Sequence, residues 1–206
     1  MSIRHKSFKH GWFYHYRVHN PKAELLCSNG FVNLKQYLYG LFEHCPDDFF
    51  DKEPRSSSLK FSLDIHPKKV LHHEVSALAQ EALELGKFNT AHTCVEMHML
   101  QHDLSTISIE VPLWTQHPLV TGYFGTAIPL TGHIDLLRVE HDKVWIWDFK
   151  PNAEKEKFAT TQTYFYALML AERTGIPLEK FMCGYFDQQH AFVFKPEEKF
   201  MQLLKK

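Results

Sequence analysis

Asp135, Asp148 and Lys150 are the residues whose types and spacing best indicate chemistry. Two apolar stretches flank residues 140–143, and if the chain turns with a two-residue tip at 141–142, Asp135 faces Asp148 across a strand pair. Cross-strand neighbours have Cβ atoms roughly 4.5–5.5 Å apart, so facing carboxylates repel each other. Such a pair at the end of a buried hairpin is costly unless a cation lies between the acids. The pattern therefore predicts a divalent-metal site.

Lys150 follows Asp148 by two residues, which places both side chains on one face of the strand. Carboxylate oxygens suit Mg²⁺ or Mn²⁺, and a nearby ammonium can orient a metal-bound water and stabilise charge on a phosphate. The combination indicates hydrolysis of a phosphodiester. An Asp-x-Lys tripeptide also occurs by chance, and the alternative is that Asp148 and Lys150 only end a strand before the loop at 151–152.

Gln162 and Tyr166 favour the hydrolytic interpretation. They stand at positions i and i+4 of a predicted helix, so the amide and the phenol lie on the same side of it. Both groups can reach a phosphate or the attacking water from there. We therefore include them with the predicted catalytic residues.

The elements that must position these residues follow from hydrophobic periodicity and turn signals. Residues 3–20 predict an amphipathic strand or hairpin, for which the alternative is a surface pairing phosphate contacts with base stacking. Residues 51–58 form the best linker, which separates an N-terminal lobe over 1–58 from a core over 59–206. Further helices are predicted over 33–43, 70–85, 90–100 and 153–173, and strands over 59–65, 108–113, 133–139, 144–150, 181–186 and 191–194. The order after residue 90 predicts a mixed sheet flanked by helices.

Composition excludes several classes of protein. The chain has 206 residues, 44% of them hydrophobic, and no apolar run long enough for a membrane span or a secretory signal, so we expect an intracellular protein. A net charge of −1 gives no overall attraction to nucleic acid. Any surface that binds nucleic acid must therefore be a local positive patch or gain its positive charge from a bound metal. Four cysteines without a CxxC pair indicate neither a zinc ribbon nor a disulfide scaffold. The 15 histidines form no complete zinc-finger pattern, and we expect most of them on the surface.

Three segments resemble motifs of the PD-(D/E)XK nuclease superfamily, in particular its RecB-like branch. They are GHIDLL at 132–137, WDFKP at 147–151 and QTYFYAL at 162–168. The resemblance spans about residues 90–194 and implies an α/β fold: a restriction-endonuclease-like αβββαβ core with a mixed sheet, helices on both faces and an N-terminal extension. Isoleucine at 134 stands where the family has proline, which leaves the following aspartate intact.

The resemblance implies roles for individual residues. Asp135 and Asp148 match the metal-binding acids, Lys150 the catalytic lysine, and Gln162 and Tyr166 the family's Q-x-x-x-Y helix motif. The cofactor implied is Mg²⁺ or Mn²⁺.

The RecB-like branch often adds a histidine ligand from the helix before the sheet. His92 is the candidate, with Glu96 one turn later, and the alternative is a partly buried histidine that binds no metal. Glu110 can approach the site through water, or can be an exposed strand residue. Some members of the branch hold an iron–sulfur cluster through one early and three late cysteines. Since only Cys183 lies late here, we expect no cluster.

These observations predict a Mg²⁺- or Mn²⁺-dependent deoxyribonuclease, with exonuclease action favoured over endonuclease action. The resemblance implies products with a 5′-phosphate and work in repair, recombination or virus-related DNA processing. The expected partner is nucleic acid, with DNA favoured over RNA. We expect no association with a membrane. One alternative is a catalytically inactive nucleic-acid-binding module of the same fold. The other is a histidine-rich zinc-binding protein in which the Asp-x-Lys tripeptide is accidental.

Overall fold

The computed structural model describes residues 2–52, 54–118, 120 and 128–199. The strands are β1 (Ile3–His10), β2 (Trp12–His19), β3 (Lys68–Leu71), β4 (Thr106–Thr115), β5 (Leu130–Glu140), β6 (Lys143–Phe149), β7 (Phe181–Phe186) and β8 (His190–Phe194). The helices are α1 (Asn20–Leu26), α2 (Val32–His44), α3 (Glu74–Leu85), α4 (Ala91–His102) and α5 (Ala159–Thr174). None of these helices is long and apolar enough to traverse a bilayer.

All eight strands belong to one mixed sheet in the order β1-β2-β4-β5-β6-β7-β8-β3. The pair β6 and β7 is parallel, and α5 makes the crossover that such a connection requires. The elements α4, β4, β5, β6, α5 and β7 follow one another in the αβββαβ order of a restriction-endonuclease-like core. The predicted fold class is confirmed.

The hairpin between β5 and β6 has the predicted register. Val139 pairs with Val144 and Leu137 with Ile146, around a tip formed by His141 and Asp142. Both tip residues have left-handed backbones, with φ of 48° and 58°, as a two-residue hairpin turn of the type I′ kind requires. This turn fixes which residues of the two strands lie opposite each other.

The hairpin is buried on both faces, and each face packs against different helices. Leu137, Val139, Val144 and Ile146 join one core cluster with residues of α2 and α5. Leu136, Trp147 and Phe149 join a second cluster with residues of α3 and α4. Because Asp148 alternates with Trp147, its side chain points toward α5.

The predicted strand over 59–65 is wrong. These residues carry no strand, and the strand in this region is Lys68–Leu71. The apolar side chains are nevertheless buried against the α5 side of the sheet. The backbone N–H of Leu63 donates to Thr161 Oγ1 at 3.2 Å instead of joining a ladder. The alternating apolar residues thus belong to a segment that packs over α5 and pairs with no strand.

Two helices begin later than periodicity predicted. The helix expected from residue 70 begins at Glu74, because residues 68–71 pair with β8 and His73 caps the helix by accepting from the N–H of Val75. The helix expected from residue 153 begins at Ala159, after a 3₁₀ turn over Ala153–Lys155. Both starts are set by partners distant in sequence.

The N-terminal residues extend the same sheet. β2 pairs with β4 through Arg17 with Ile109 and Val18 with Ser108, and Phe8 and Tyr16 are buried in the core cluster of α2 and α5. The hairpin predicted for residues 3–20 is therefore present. The division of the chain at residue 58 stays a prediction.

Candidate active site

The side chains of β4 and β5 break their regular alternation between the two faces of the sheet at Glu110 and Asp135, two acids that lie opposite each other. Ile109 and Leu136 are partners that face α3 and α4, whereas Val111 and Ile134 are partners that face α2 and α5. Between these pairs Glu110 has a φ of 51°, a conformation that costs a non-glycine residue energy and often marks functional positions. Because of this local distortion, the side chains of Glu110 and Asp135 line a cleft between the helices on the two faces of the sheet.

The cleft has a volume of about 220 Å³. All six residues that the sequence singled out line it: His92, Asp135, Asp148, Lys150, Gln162 and Tyr166. They come from α4, β5, the end of β6 and α5, so the αβββαβ core assembles the set from four separate places in the chain.

The two aspartates are held by different donors. Lys150 Nζ lies 2.6 Å from Asp148 Oδ2, and Gln162 Nε2 donates to Asp148 Oδ1 at 2.8 Å. Asp135 Oδ2 accepts from the backbone N–H of Phe149 at 2.9 Å, which ties β5 to β6 beyond the last paired residues. One oxygen of each carboxylate thus has a fixed hydrogen bond, which sets the orientation of both groups.

Gln162 is positioned by Tyr166. Its amide donates to the Tyr166 hydroxyl at 2.9 Å, and burial, with the charge of Asp148 next, raises the pKa of that phenol well above its ordinary value. The phenol is therefore protonated at neutral pH. A Cβ on Gly132 would lie 2.3 Å from Tyr166 Cε1, so the close approach of this ring requires glycine at the start of the GHID segment.

The acids of the cleft are destabilised as anions. Burial, followed by the charge of Asp135, raises the pKa of Asp148 to about 7 and that of Glu110 to about 8. Burial also raises the pKa of Asp135, against the opposing charge of Lys150. Burial and the neighbouring Glu110 raise the pKa of Glu96 well above its ordinary value, and Glu96 Oε1 has no hydrogen-bond partner among the described residues. Asp135, Asp148 and Glu110 in the lining of the cleft, together with Glu96 and its unpaired oxygen beside Glu110, fit a bound divalent cation.

His92 lies at the edge of this group. Its Nε2 is 4.0 Å from Asp135 Oδ2, its ring meets Phe149 edge-on, and 45% of its side chain is exposed. Burial lowers the pKa of His92 despite the charge of Asp148, which leaves the neutral imidazole that metal ligation needs. The structure brings His92 to the cleft, and its role as a ligand stays a prediction.

A family model described as the PD-(D/E)XK nuclease superfamily matches residues 27–203. The chain belongs to the PD-(D/E)XK nuclease superfamily. No curated protein matches it. Members of this superfamily are nucleases that use divalent metal ions, typically Mg²⁺ or Mn²⁺. The RecB-like branch is compatible with the match but is not specified by it.

The residues present in this PD-(D/E)XK chain fit such an ion. Asp135, Asp148 and Glu110 offer hard oxygen donors, and His92 offers a neutral nitrogen beside them. Glu110 is partly buried and lines the cleft, so the alternative of an exposed strand residue is wrong.

Part of the cleft wall was missed by sequence reasoning. The ring of Tyr14 stacks on His133 with centroids 3.6 Å apart, and Arg55 Nη1 donates to the Tyr14 hydroxyl at 3.1 Å. Arg55 also donates to the backbone carbonyl of Phe50 at 2.7 Å. Tyr14 belongs to a hairpin that pattern alone could place anywhere on the core, and Arg55 to a segment that looked like a linker. No local signal directs either residue to the nuclease cleft.

Proposed function

We propose that this PD-(D/E)XK chain is a Mg²⁺- or Mn²⁺-dependent deoxyribonuclease that acts as an exonuclease and leaves 5′-phosphate ends. The observation that carries the proposal is the packing of Asp135 and Asp148 in one buried cleft, with the ammonium of Lys150 at 2.6 Å from Asp148. The motifs at 132–137, 147–151 and 162–168 support DNA as substrate, and repair, recombination or virus-related DNA processing as the setting.

In this proposal each side chain has a separate task. Asp135 and Asp148, with His92 beside them, hold the metal, which when bound polarises the phosphate and lowers the pKa of a coordinated water. Lys150 orients the attacking water and donates to the phosphate oxygen on which charge accumulates. Gln162 fixes Asp148 Oδ1 and thereby the direction of its free lone pairs.

The size of the cleft suits one scissile phosphodiester. At about 220 Å³ it is smaller than the roughly 300–1,000 Å³ of ordinary ligand pockets. Tyr14 and Arg55 narrow it from the side of the N-terminal hairpin. A single phosphodiester with its neighbouring sugar fits this space.

Cleavage assays on four DNA forms test the proposal. End-labelled linear and circular DNA, each single- and double-stranded, are incubated with Mg²⁺ or Mn²⁺, with linear RNA in parallel. We expect linear DNA to shorten from its ends while circles survive, and Asp148→Ala and Lys150→Ala to be inactive. The matched control is Asp48→Asn, an exposed acid that does not line the cleft, which should cleave normally.

Each other outcome has a definite meaning. Circles cut as fast as linear molecules would refute the exonuclease proposal, and RNA as the preferred substrate would refute DNA. Equal cleavage by wild type, Asp148→Ala and Lys150→Ala would show that the activity belongs to a contaminant and refute the assigned residues.

A further inference from the structure

A second group of metal-ligating side chains lies outside the nuclease cleft. It consists of His10 at the end of β1, Cys45 just after α2, and Asp47 at the start of the next 3₁₀ turn. One ligand atom from each lies within 4.8 Å of the other two, and among the described residues this is the group of histidines, cysteines and acids that meets that spacing. The three residues join the N-terminal hairpin to α2.

His10 is held rigidly with one nitrogen directed at this group. Its ring is fully buried and stacks on Phe50 with centroids 3.9 Å apart and an interplanar angle of 10°. Nδ1 lies 2.8 Å from His133 Nε2, and Nε2 lies 3.1 Å from Asp47 Oδ1. An imidazole with one nitrogen hydrogen-bonded behind it and the other turned toward further ligands is the usual form of a metal-binding histidine.

The backbone presents Cys45 and Asp47 together. The N–H of Asp47 donates to the carbonyl of Cys45 at 3.1 Å, and the N–H of Phe49 donates to that of Pro46 at 3.0 Å. This tight turn brings the thiol and the carboxylate to the same side as His10. Burial, and next the negative charge of Asp47, raise the pKa of the Cys45 thiol to about 12, against the opposing charge of Lys6.

We propose that His10 Nε2, Cys45 Sγ and Asp47 Oδ1 bind one Zn²⁺ ion, with water as the fourth ligand. Imidazole, thiolate and carboxylate form a zinc donor set, whereas Mg²⁺ and Mn²⁺ prefer oxygen ligands such as those of the cleft. Two ligands about 2.0–2.1 Å from a tetrahedral zinc lie roughly 3.3 Å apart, close to the 3.1 Å between His10 and Asp47. Binding releases the thiol proton of Cys45 to solvent.

Zinc binding also determines which ring nitrogen of His133, on the wall of the cleft, carries the proton. When Nε2 of His10 binds the metal, its Nδ1 carries the proton and donates to His133 Nε2. Without metal, Nε2–H of His10 can donate to Asp47, and His133 then supplies the proton between the two rings. Zinc therefore shifts the tautomer of His133, whose ring stacks on Tyr14 in the cleft. The zinc site does not depend on the proposed nuclease activity.

Cobalt substitution tests the site directly. The full-length protein is stripped of metal and titrated with Co²⁺, and the absorption spectrum and bound metal are measured. We expect one ion per chain at this site, a near-ultraviolet thiolate-to-cobalt charge-transfer band and visible bands of tetrahedral intensity, all displaced by Zn²⁺. Asp148→Ala, which alters the cleft, should keep the charge-transfer band.

Two substitutions and one matched control complete the design. Cys45→Ser should abolish the charge-transfer band, and Asp47→Asn should weaken Zn²⁺ binding by more than the roughly 10- to 100-fold that loss of an outer partner costs. Asp48→Asn, the adjacent exposed acid, should bind like wild type. Side-chain ¹⁵N spectra should show the His133 tautomer change on zinc addition in wild type.

A wild-type protein that binds no Co²⁺ or Zn²⁺, or binds Co²⁺ without the charge-transfer band, would overturn the proposal. Equal Zn²⁺ affinity in wild type and Asp47→Asn would overturn the assigned ligand set. These results do not depend on how Cys45→Ser folds, because wild type and the exposed Asp47 variant decide them.

Discussion

Replacement of Asp148 by asparagine should stabilise the metal-free protein while destroying its proposed function. The side chain is 1% exposed, and burial with the neighbouring Asp135 raises its pKa from 3.8 to about 7. Asparagine keeps the size of the side chain and an oxygen that accepts from Gln162, but it carries no charge to desolvate.

The magnitude follows from linkage. One pH unit of difference between the folded and unfolded pKa corresponds to about 1.36 kcal/mol, so ionised Asp148 costs the fold about 4 kcal/mol at pH 8. Because its folded pKa is raised, this acid contributes full stability below its unfolded pKa and loses it as pH rises from about 4 to about 7. The advantage of the asparagine variant should therefore shrink to less than about 1 kcal/mol at pH 4.

Urea unfolding in EDTA at pH 8 and pH 4 measures this difference. Excess Mg²⁺ should raise the stability of the wild type at pH 8 and leave Asp148→Asn unchanged, since only the native wild-type site binds the ion. The control Asp48→Asn alters an exposed acid and should behave as wild type. An Asp148→Asn protein that is less stable than wild type at pH 8 in EDTA would refute the reasoning, because it would show that Asp148 stabilises the fold as an anion.

Three further outcomes follow from the cleft. Gly132→Ala should cost about 1–3 kcal/mol in urea unfolding, because its Cβ would lie 2.3 Å from Tyr166 Cε1, and most of that cost should vanish in a Tyr166→Leu background. Gln162→Ala should lower kcat about 10- to 100-fold with little change in KM, since it removes the donor to Asp148 without removing a substrate contact; an effect on KM alone would contradict this. Burial raises the folded pKa of Glu110 to about 8, so ionisation of this acid should lower the stability of the metal-free protein as pH rises from about 4.5 to 8. Glu110→Gln should remove this loss of stability. An unchanged pH profile of the urea midpoint in the variant would contradict this.

The central hairpin was predictable because its signals are local. Residues 141–142 allow a two-residue turn, and once that turn is fixed, period-two alternation determines the partners of Leu137 and Val139. That Gln162 and Tyr166 share one side of a helix likewise follows from helical spacing alone. These local rules fix the geometry within the hairpin and within the helix, whereas the expectation that α5 meets the hairpin rested on the resemblance of its Q-x-x-x-Y motif.

Other features depend on contacts between distant residues. Apolar and polar residues alternate over 59–65 as in a strand, yet the backbone N–H of Leu63 donates to Thr161 on α5. Nothing in the sequence of this segment indicates that partner. The left-handed backbone of Glu110, which leads two acids into the cleft, occurs at a residue type that rarely adopts it. The wall formed by Tyr14 and Arg55 depends on how the N-terminal hairpin docks. Tertiary packing decides each of these cases.

Mn²⁺ binding and DNA cleavage measured in a single titration test the central claim most directly. Bound Mn²⁺ is followed by electron paramagnetic resonance, and cleavage of end-labelled DNA is followed in the same samples, for wild type, Asp135→Asn, Asp148→Asn and Lys150→Ala. We predict that cleavage by the wild type saturates together with Mn²⁺ binding, that both aspartate variants lose both signals, and that Lys150→Ala binds Mn²⁺ but does not cleave. Cleavage that persists in the aspartate variants, or that saturates independently of bound Mn²⁺, would contradict a catalytic metal held between Asp135 and Asp148.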